Sequence, residues 1–374
     1  MRFFLKEKKN RRRRFFSFKE RTPMRTFLCL IIVFTIFFLF GIILLYPRPI
    51  DIVYTWVDYD ESMKMEITGQ SITPYVSLDE LKYSIRSIFL FAPWFHHIYL
   101  VVRDGQCPSW LNTEHPNITL VNHSEIIPKE YLPTTNSIVI EAHLHFIPSL
   151  SEQYLYLNDD VLLWNPVQST VFFRNGKTIQ TNSTVVSSEY KQPISIERNE
   201  IICKDNVDAE YEFMKMIGWN ASLIQSLWGY DQVSLVHHVP FPNLKSTNRQ
   251  LDSLLYKLRK NGTSLADLSN QQKKRSNENI ARVSIFQKYF YQKKSKTILI
   301  EEENVKAQMI ELSHLFRNTS QIQSLLYDHD TLFVNIQNNI EYMDKGAKDN
   351  GMQDWNLMKS IMDRKFSEKS PVEY

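Results

Sequence analysis

Glycine is scarce in this chain, with nine residues in 374. None of them builds the glycine-rich turn that wraps phosphates in P-loop and dinucleotide folds. Any phosphate bound here must be met by side chains, by strand-end backbone or by a cation. Cysteine is scarcer still: only Cys29, Cys107 and Cys203 are present. Cys29 lies in an apolar run, so Cys107–Cys203 is the one bridge available to the rest of the chain, and a free pair of thiols fits equally well. A disulfide framework and a CxxC zinc module are both excluded, and no HExxH motif exists to bind zinc on a helix. A basic field is also missing. Residues 1–25 hold 11 Lys and Arg, and the remainder carries 33 basic against 39 acidic residues. That net of −6 argues against nucleic acid as a partner. No internal repeat is visible.

What the chain does have is apolar material: 43% hydrophobic and 13% aromatic residues, sufficient for a packed core and too much for a disordered chain. The length suits one large domain or two ordinary ones. Phe27–Tyr46 is a run of 20 residues without a charge, and a helix of that length spans about 30 Å, the thickness of a bilayer core. The cluster Arg11–Arg14 precedes it, so the positive-inside rule predicts a cytosolic tail (1–26), a transmembrane helix (27–46) and a luminal domain (47–374), the topology of a single-pass type II membrane protein. A cleaved signal peptide is the rival reading, but its apolar part would be shorter and followed by small residues; Tyr46-Pro47-Arg48-Pro49 follows here. Six N-x-S/T sequons, at Asn117, Asn122, Asn182, Asn220, Asn261 and Asn318, all fall on the expected luminal side.

Residues 51–161 alternate strand-like and helix-like runs. DIVYTW (51–56), IYLVV (98–102), ITLV (118–121) and QYLYL (153–157) read as strands. Ser77-x-x-Glu80 reads as a capping box, with Leu81, Ile85 and Phe89 along one helix face. Thr134–Phe146 reads as a second helix. This alternation predicts an α/β fold with a doubly wound, largely parallel sheet. Residues 165–240 read as a loop-rich insertion, 243–330 as mainly helical, 331–336 as a last strand and roughly 352–366 as a last helix.

Polar residues follow each of the four strands: Val57-Asp58, Arg103-Asp104-Gly105, Asn122-His123 and Asn158-Asp159-Asp160. Ligands of open α/β sheets bind at those carboxyl ends. Adjacent carboxylates such as Asp159 and Asp160 suit Mg2+ or Mn2+, which prefer oxygen ligands; a turn with two solvated acids is the plainer alternative. Asp58 fits a ribose, nucleotide or metal contact, or an ordinary loop acid. Glu141 and His145 are spaced to share one helix face and His143 points elsewhere; each suits a general base for an acceptor hydroxyl, or a structural hydrogen bond. Arg86, Arg103 and Arg275 are candidates for phosphate contacts. The Trp/Tyr-rich stretch Trp219–Tyr230 reads as a sugar platform or as core.

With these residues in place, the chain resembles the Stealth family, which includes the catalytic subunit of N-acetylglucosamine-1-phosphotransferase and bacterial capsule hexose-phosphate transferases. Four blocks carry the resemblance. The first is Ile50–Asp58. The second begins at Leu81-Lys82-Tyr83-Ser84-Ile85-Arg86-Ser87. It continues through Ala92-Pro93-Trp94, Asp104–Leu111, Leu132-Pro133-Thr134 and Ile140-Glu141-Ala142-His143-Leu144-His145 to Tyr156–Val161. The third is His238-Val239-Pro240 with Arg275–Ile280. The fourth is Phe333–Ile340, closing with Phe366 and Ser370-Pro371-Val372-Glu373. The resemblance implies a nucleotide-sugar transferase fold with a helical insertion. It implies transfer of a sugar 1-phosphate, N-acetylglucosamine or another hexose, from a UDP-sugar to a glycan hydroxyl, with Mg2+ or Mn2+ as cofactor and UMP as product. It points to Asp58, Glu141, Asp159 and Asp160 as site residues; together with the readings above, catalysis is expected of Glu141, His143, Asp160 and Arg275, substrate contacts of Asp58, Arg86, Asp104 and Asn338, and metal binding of Asp159 and Asp160. A Golgi membrane location fits the topology, and a homodimer is an expected assembly. The chain departs from the animal enzyme at Ser276, where that enzyme has histidine, and at Gln337-Asn338-Asn339, which carries one carboxylate fewer. It also lacks the cysteine-rich modules through which that enzyme selects protein acceptors. An ordinary metal-dependent glycosyltransferase, or an inactive glycan-binding relative, are the competing expectations.

Overall fold

The structure, a computed structural model, describes residues 22–45, 48–56, 58, 79–134, 137–182, 185–187, 224–230, 232–234, 239–258, 283–301, 306–312, 318–338 and 348–374. The chain divides after Arg48 into two units. In the first, Thr22–Leu45 forms helix α1. Its described side chains, residues 27–38, are all exposed. Among the described residues no helix is long and apolar enough to cross a membrane.

The second unit opens with β1 (Ile50–Trp56), helix α2 (Glu80–Phe91), β2 (Ile98–Val102) and β3 (Ile118–Asn122). A one-turn helix α3 (His123–Ile126), helix α4 (Ser137–His143), β4 (Gln153–Asn158) and β5 (Val161–Leu163) follow. Short strands β6 (Phe173–Arg174), β7 (Lys177–Asn182), β8 (Val185–Ser187) and β9 (Gln232–Ser234) come next. The chain continues through β10 (Phe241–Leu244), α5 (Lys245–Leu258), α6 (Val283–Lys293), β11 (Thr297–Glu301), β12 (Ala307–Leu312), α7 (Thr319–Ser324), β13 (Phe333–Asn338) and α8 (Lys348–Lys365).

The main sheet has the order β10-β4-β1-β2-β3. Strands β4, β1, β2 and β3 are parallel, and β10 runs antiparallel along the β4 edge. The sequence explains this. All five residues of β2, IYLVV, are buried, as a parallel strand covered on both faces requires. On one face Ile52, Leu100, Leu155 and Leu157 pack with Leu81, Ile85 and Ile88 of α2. On the other, Val53, Val101, Val121 and Tyr154 pack with Val139 and Ile140 of α4 and with Leu144. Each such aliphatic side chain contributes about 1.5–3 kcal/mol of burial. A second sheet, β12-β13-β5, packs Leu162, Val334 and Ile336 against Trp355, Met358, Ile361 and Met362 of α8.

The α/β architecture and the parallel sheet are as the alternation predicts, with strand bounds moved by a residue or none. Two local expectations change. Helix α2 starts at Glu80 with Asp79 as its N-cap, in the left-handed region at φ 61 and without a side-chain cap, so Glu80 is the first helical residue and not the third, as a capping box would need; Ser77 lies outside the described residues. The described residues of 243–330 are mainly helical as expected, through α5, α6 and α7, but β11 and β12 also occur there, because the short runs TILIE and AQMIEL find parallel partners in β7 and β13. Periodicity within five or six residues does not separate a strand from a helix fragment.

Candidate active site

The register of the sheet brings the four strand ends level. Thr55 pairs with Asn158, Trp56 with Val102, and Val102 with Asn122. The chain leaves β1 towards β2 on one side, while β4 lies on its other side. The carboxyl ends of β1 and β4 therefore flank a topological switch point, where open α/β sheets bind ligands. Asp58 sits on the β1 side, and Asn158, Asp159 and Asp160 on the β4 side.

Asp159 and Asp160 form the turn between β4 and β5, and both are half-buried. Burial raises the Asp159 carboxyl well above the usual carboxylate range, and the neighbouring Asp160 and Glu80 carboxylates raise it further. Two further acids thus bear on Asp159 at this turn, an arrangement that a bound cation relieves. The donor set fits a hard divalent ion, with Asp159 and Asp160 as the residues that would hold it. Among the described residues no group of three or more His, Cys, Asp or Glu side chains is arranged to bind a metal ion. A cation on a diphosphate takes further oxygens from the ligand and from water, so two protein carboxylates suffice.

Tyr156, two residues before Asn158, joins the two strand ends: its hydroxyl lies 3.1 Å from Thr55 Oγ1. Burial pushes its phenol up, as do the carboxylates of Glu141, Asp159 and Asp160. Glu141, from α4, and the acid pair therefore lie near one and the same phenol. The sequence reading did not single out Tyr156 or Glu80 as site residues. Their signal was position: two residues upstream of the acid turn, and first in the helix that packs beneath it.

His143 is buried, and its Nδ1 donates to the Val139 carbonyl at 2.7 Å. In the neutral ring this leaves Nε2 as the basic nitrogen. Tyr131 and Phe146 flank the ring at 5.8 and 6.0 Å. His145 does not share an α-helical face with Glu141 as the i, i+4 spacing suggests, because the helix ends at His143 and tightens into a 3-10 turn over Leu144–Phe146. It is buried, and burial together with His143, Arg249 and Lys245 lowers its pKa to about 3.

On the β1–β2 side, Asp58 is exposed, and its backbone is held from both directions by Gln106. Asp58 N donates to Gln106 Oε1 at 3.1 Å, and Gln106 Nε2 donates to the Asp58 carbonyl at 2.6 Å. Gly105, at φ +83, supplies the left-handed turn that aims Gln106 back at β1. Asp104 Oδ1 accepts from the Ser124 amide at 3.2 Å and its hydroxyl at 2.7 Å, so this carboxylate caps α3. Arg86 is engaged elsewhere. Nε and Nη2 donate to the two oxygens of Glu373 at 2.8 and 2.6 Å, and Nη1 to the Phe366 carbonyl at 3.0 Å. In this structure its guanidinium grips the C-terminal segment. Asn338 ends β13 opposite Leu312, and its side chain, like Arg275 and Ser276, lies outside the described residues. Cys107 is a free, exposed thiol; Cys203 lies outside the described residues.

Residues 74–181 match the Stealth protein CR2, conserved region 2. Over 141 residues the chain is 42% identical to the capsular polysaccharide phosphotransferase LcbA of Neisseria meningitidis, covering 34% of this chain and 38% of that protein. It is 47% identical over 144 residues to an exopolysaccharide phosphotransferase of Streptomyces coelicolor, covering 35% of this chain and 24% of that one. Residues 74–181 of this chain thus carry a Stealth conserved region. The similarity spans well under half the length of either relative. Glu80, Arg86, Asp104, Glu141, His143, Asp159 and Asp160 lie inside the matched Stealth region; Asp58, Arg275 and Asn338 lie outside it. Among solved structures, the galactosyltransferase LgtC, in complex with donor and acceptor sugar analogs, superposes with a TM-score of 0.37 at 12% identity, covering 83% of this chain and 96% of that one. The glycosyltransferase GlyE of Streptococcus pneumoniae reaches 0.36 at 10% identity, covering 87% and 64%. Likenesses this distant do not bear on the site.

Proposed function

We propose that this chain transfers a sugar 1-phosphate from a UDP-sugar to a glycan hydroxyl, releasing UMP. The observation that carries the reading is the Asn158-Asp159-Asp160 turn at the β1/β4 switch point, inside the segment shared with proteins named polysaccharide phosphotransferases. The acceptor hydroxyl attacks the β-phosphorus, the bond between that phosphorus and the bridging oxygen breaks, and the hydroxyl proton passes to a base. Such a transfer rests on positioning and charge neutralisation. Asp159 and Asp160 would hold Mg2+ or Mn2+, which would supply neutralisation of the diphosphate charge. Glu141 is the base we favour, because it and the acid pair all act on the Tyr156 phenol; His143 Nε2 is the other basic atom on the same helix end. Asp58 and Asp104 line the β1 and β2 exits on the donor side, and Arg275 and Asn338 complete the phosphate and donor contacts. Arg86 reaches a phosphate only if it releases Glu373.

The setting we propose is the Golgi lumen, with α1 as a type II membrane anchor, a glycan acceptor and a homodimeric assembly. The uncharged run Phe27–Tyr46 behind Arg11–Arg14 supports the anchor. Incubating the purified protein with UDP-N-acetylglucosamine, UDP-hexoses and a simple mannoside in Mn2+, then identifying the nucleotide released, tests the function. UMP with a phosphodiester product is expected. UDP instead means ordinary glycosyl transfer, and neither nucleotide means a glycan-binding protein.

A further inference from the structure

The acid turn is the point where the chain leaves the main sheet for the second one, and three buried hydroxyls gather at β5, directly after it. Ser84 Oγ donates to the Val161 carbonyl at 2.5 Å. Ser87 Oγ accepts from the Leu163 amide at 3.0 Å and donates to the Ser84 carbonyl at 2.6 Å. Tyr54 Oη, from β1, lies 2.7 Å from Ser84 Oγ. A serine hydroxyl has one proton. That of Ser84 goes to Val161, so Tyr54 must be the donor in the other bond. The direction of the relay is thereby fixed: Tyr54 donates to Ser84, and Ser84 donates to the carbonyl of the residue after Asp160. Tyr54, Ser84 and Ser87 all have 0% of their surface exposed. From the opposite side the Ile336 amide of β13 donates to the Asp160 carbonyl at 2.9 Å. Asp159 and Asp160 are therefore gripped between two clasps, one from β1 and α2 and one from β13.

Hydroxyls are an unexpected choice at positions 84 and 87. Leu81, Ile85 and Ile88 of the same helix already supply its apolar face, but alanine at 84 and 87 would take these partners from the Val161 carbonyl, the Leu163 amide and the Tyr54 hydroxyl. What serine adds is a bond to backbone directly after the acids. Folding has other anchors for β5, namely its pairing with β13 and the Ser87–Leu163 bond. The Tyr54–Ser84 pair acts at Val161, the first residue of β5 and the one directly after the turn.

We propose that Tyr54 and Ser84 are positioning residues for the site: their relay sets the orientation of the Asp159–Asp160 turn and, through it, the affinity for a divalent cation and the nucleotide diphosphate. Neither touches the substrate. The inference rests on the transferase reading for its consequence in catalysis, but its test does not depend on turnover. The full-length protein in detergent and its Tyr54→Phe, Ser84→Ala and Ser84→Thr variants are titrated with Mn2+ in the presence of UDP, following bound Mn2+ by electron paramagnetic resonance, with melting temperature recorded on the same preparations. Tyr54→Phe keeps the ring in the core and removes only the donor to Ser84. We expect it to melt within a few degrees of wild type while its Mn2+ affinity falls roughly tenfold, as for other residues that orient metal ligands from behind. Ser84→Ala should behave alike, and Ser84→Thr, which keeps a hydroxyl, should recover most of the affinity. Should Ser84→Ala or Ser84→Thr not fold, Tyr54→Phe decides. Unchanged Mn2+ affinity in well-folded Tyr54→Phe, or no Mn2+ binding by the wild type, overturns the proposal. Mn2+ binding that obeys this pattern in a protein that transfers no sugar phosphate overturns the transferase reading alone.

Discussion

Replacing Asp159 by asparagine separates a functional acid from a structural one, because the two roles predict opposite changes in stability. The carboxyl of Asp159 is raised well above its ordinary range by burial and by Asp160 and Glu80. The folded protein therefore holds this proton more tightly than the unfolded chain, whose aspartates titrate near about 3.9. The associated stability is fully present below that value and is lost as pH rises through the folded pKa. At neutral pH, without metal, this carboxyl is a liability to the fold. Asp159→Asn keeps the shape and removes the charge. In EDTA at pH 7 the variant should melt at or above the wild-type temperature, and its stability relative to wild type should increase from pH 4 to pH 7. Activity should move the other way. Losing one principal electrostatic contact to a developing charge costs about 3–4 kcal/mol, a hundredfold to a thousandfold in turnover. Calorimetry in EDTA and UMP release in Mn2+, on one preparation, give both numbers. A variant with normal turnover, or one that loses activity only as its melting temperature drops, refutes the assignment of Asp159 to the site.

The Arg86–Glu373 clamp makes a different claim. The Glu373 side chain is only 3% exposed and Arg86 13%, so Arg86→Gln strands a buried carboxylate and should cost about 3 kcal/mol of stability by urea unfolding; a folded variant whose only defect is a raised KM for the UDP-sugar returns Arg86 to the donor site. Acid sensitivity arises from two buried imidazoles. His145 and His123 are lowered by burial to about 3 and about 4, so the unfolded chain binds more protons than the folded one between those values and about 6.5. Stability is complete above pH 6.5 and should fall, on the order of 3 kcal/mol per histidine, as pH drops towards 4; a flat melting temperature over that range contradicts it. Membrane topology predicts that protease added to sealed microsomes leaves residues 47–374 intact, and that glycosidase shifts the protein's mobility through sequons such as Asn117. Cleavage of the C-terminal part without detergent rules that topology out.

Much of the sheet was legible because buried parallel strands advertise themselves. IYLVV, ITLV and QYLYL are apolar runs of strand length, and each gives way to polar residues. The positions of Asp58, Asp104 and Asp159 at strand ends are therefore readable from the sequence. The resemblance, carried by residues such as Asp104–Leu111 and Tyr156–Val161, drew Glu141 to the same place. Long-range partners were not legible. Nothing local to Arg86 signals that Glu373, 287 positions later, occupies its guanidinium. The hydroxyls of Ser84 and Tyr54 read as ordinary helix and strand residues until their bonds to each other and to Val161 are seen. The reach of His145 depended on where α4 ends, and a switch to a 3-10 turn over three residues leaves no periodic trace. The strands β11 and β12 were missed for a related reason, since each needs a partner from a distant part of the chain to be a strand at all.

The central claim is that phosphorus, and not the anomeric carbon, is the centre attacked. A UDP-sugar labelled with phosphorus-32 in its β-phosphate, incubated with the protein, Mn2+ and a mannoside, locates the label directly. Phosphotransfer predicts that the label moves to the glycan product in a phosphodiester that resists phosphatase, with unlabelled UMP left behind. Label retained on UDP while sugar appears on the acceptor contradicts the account.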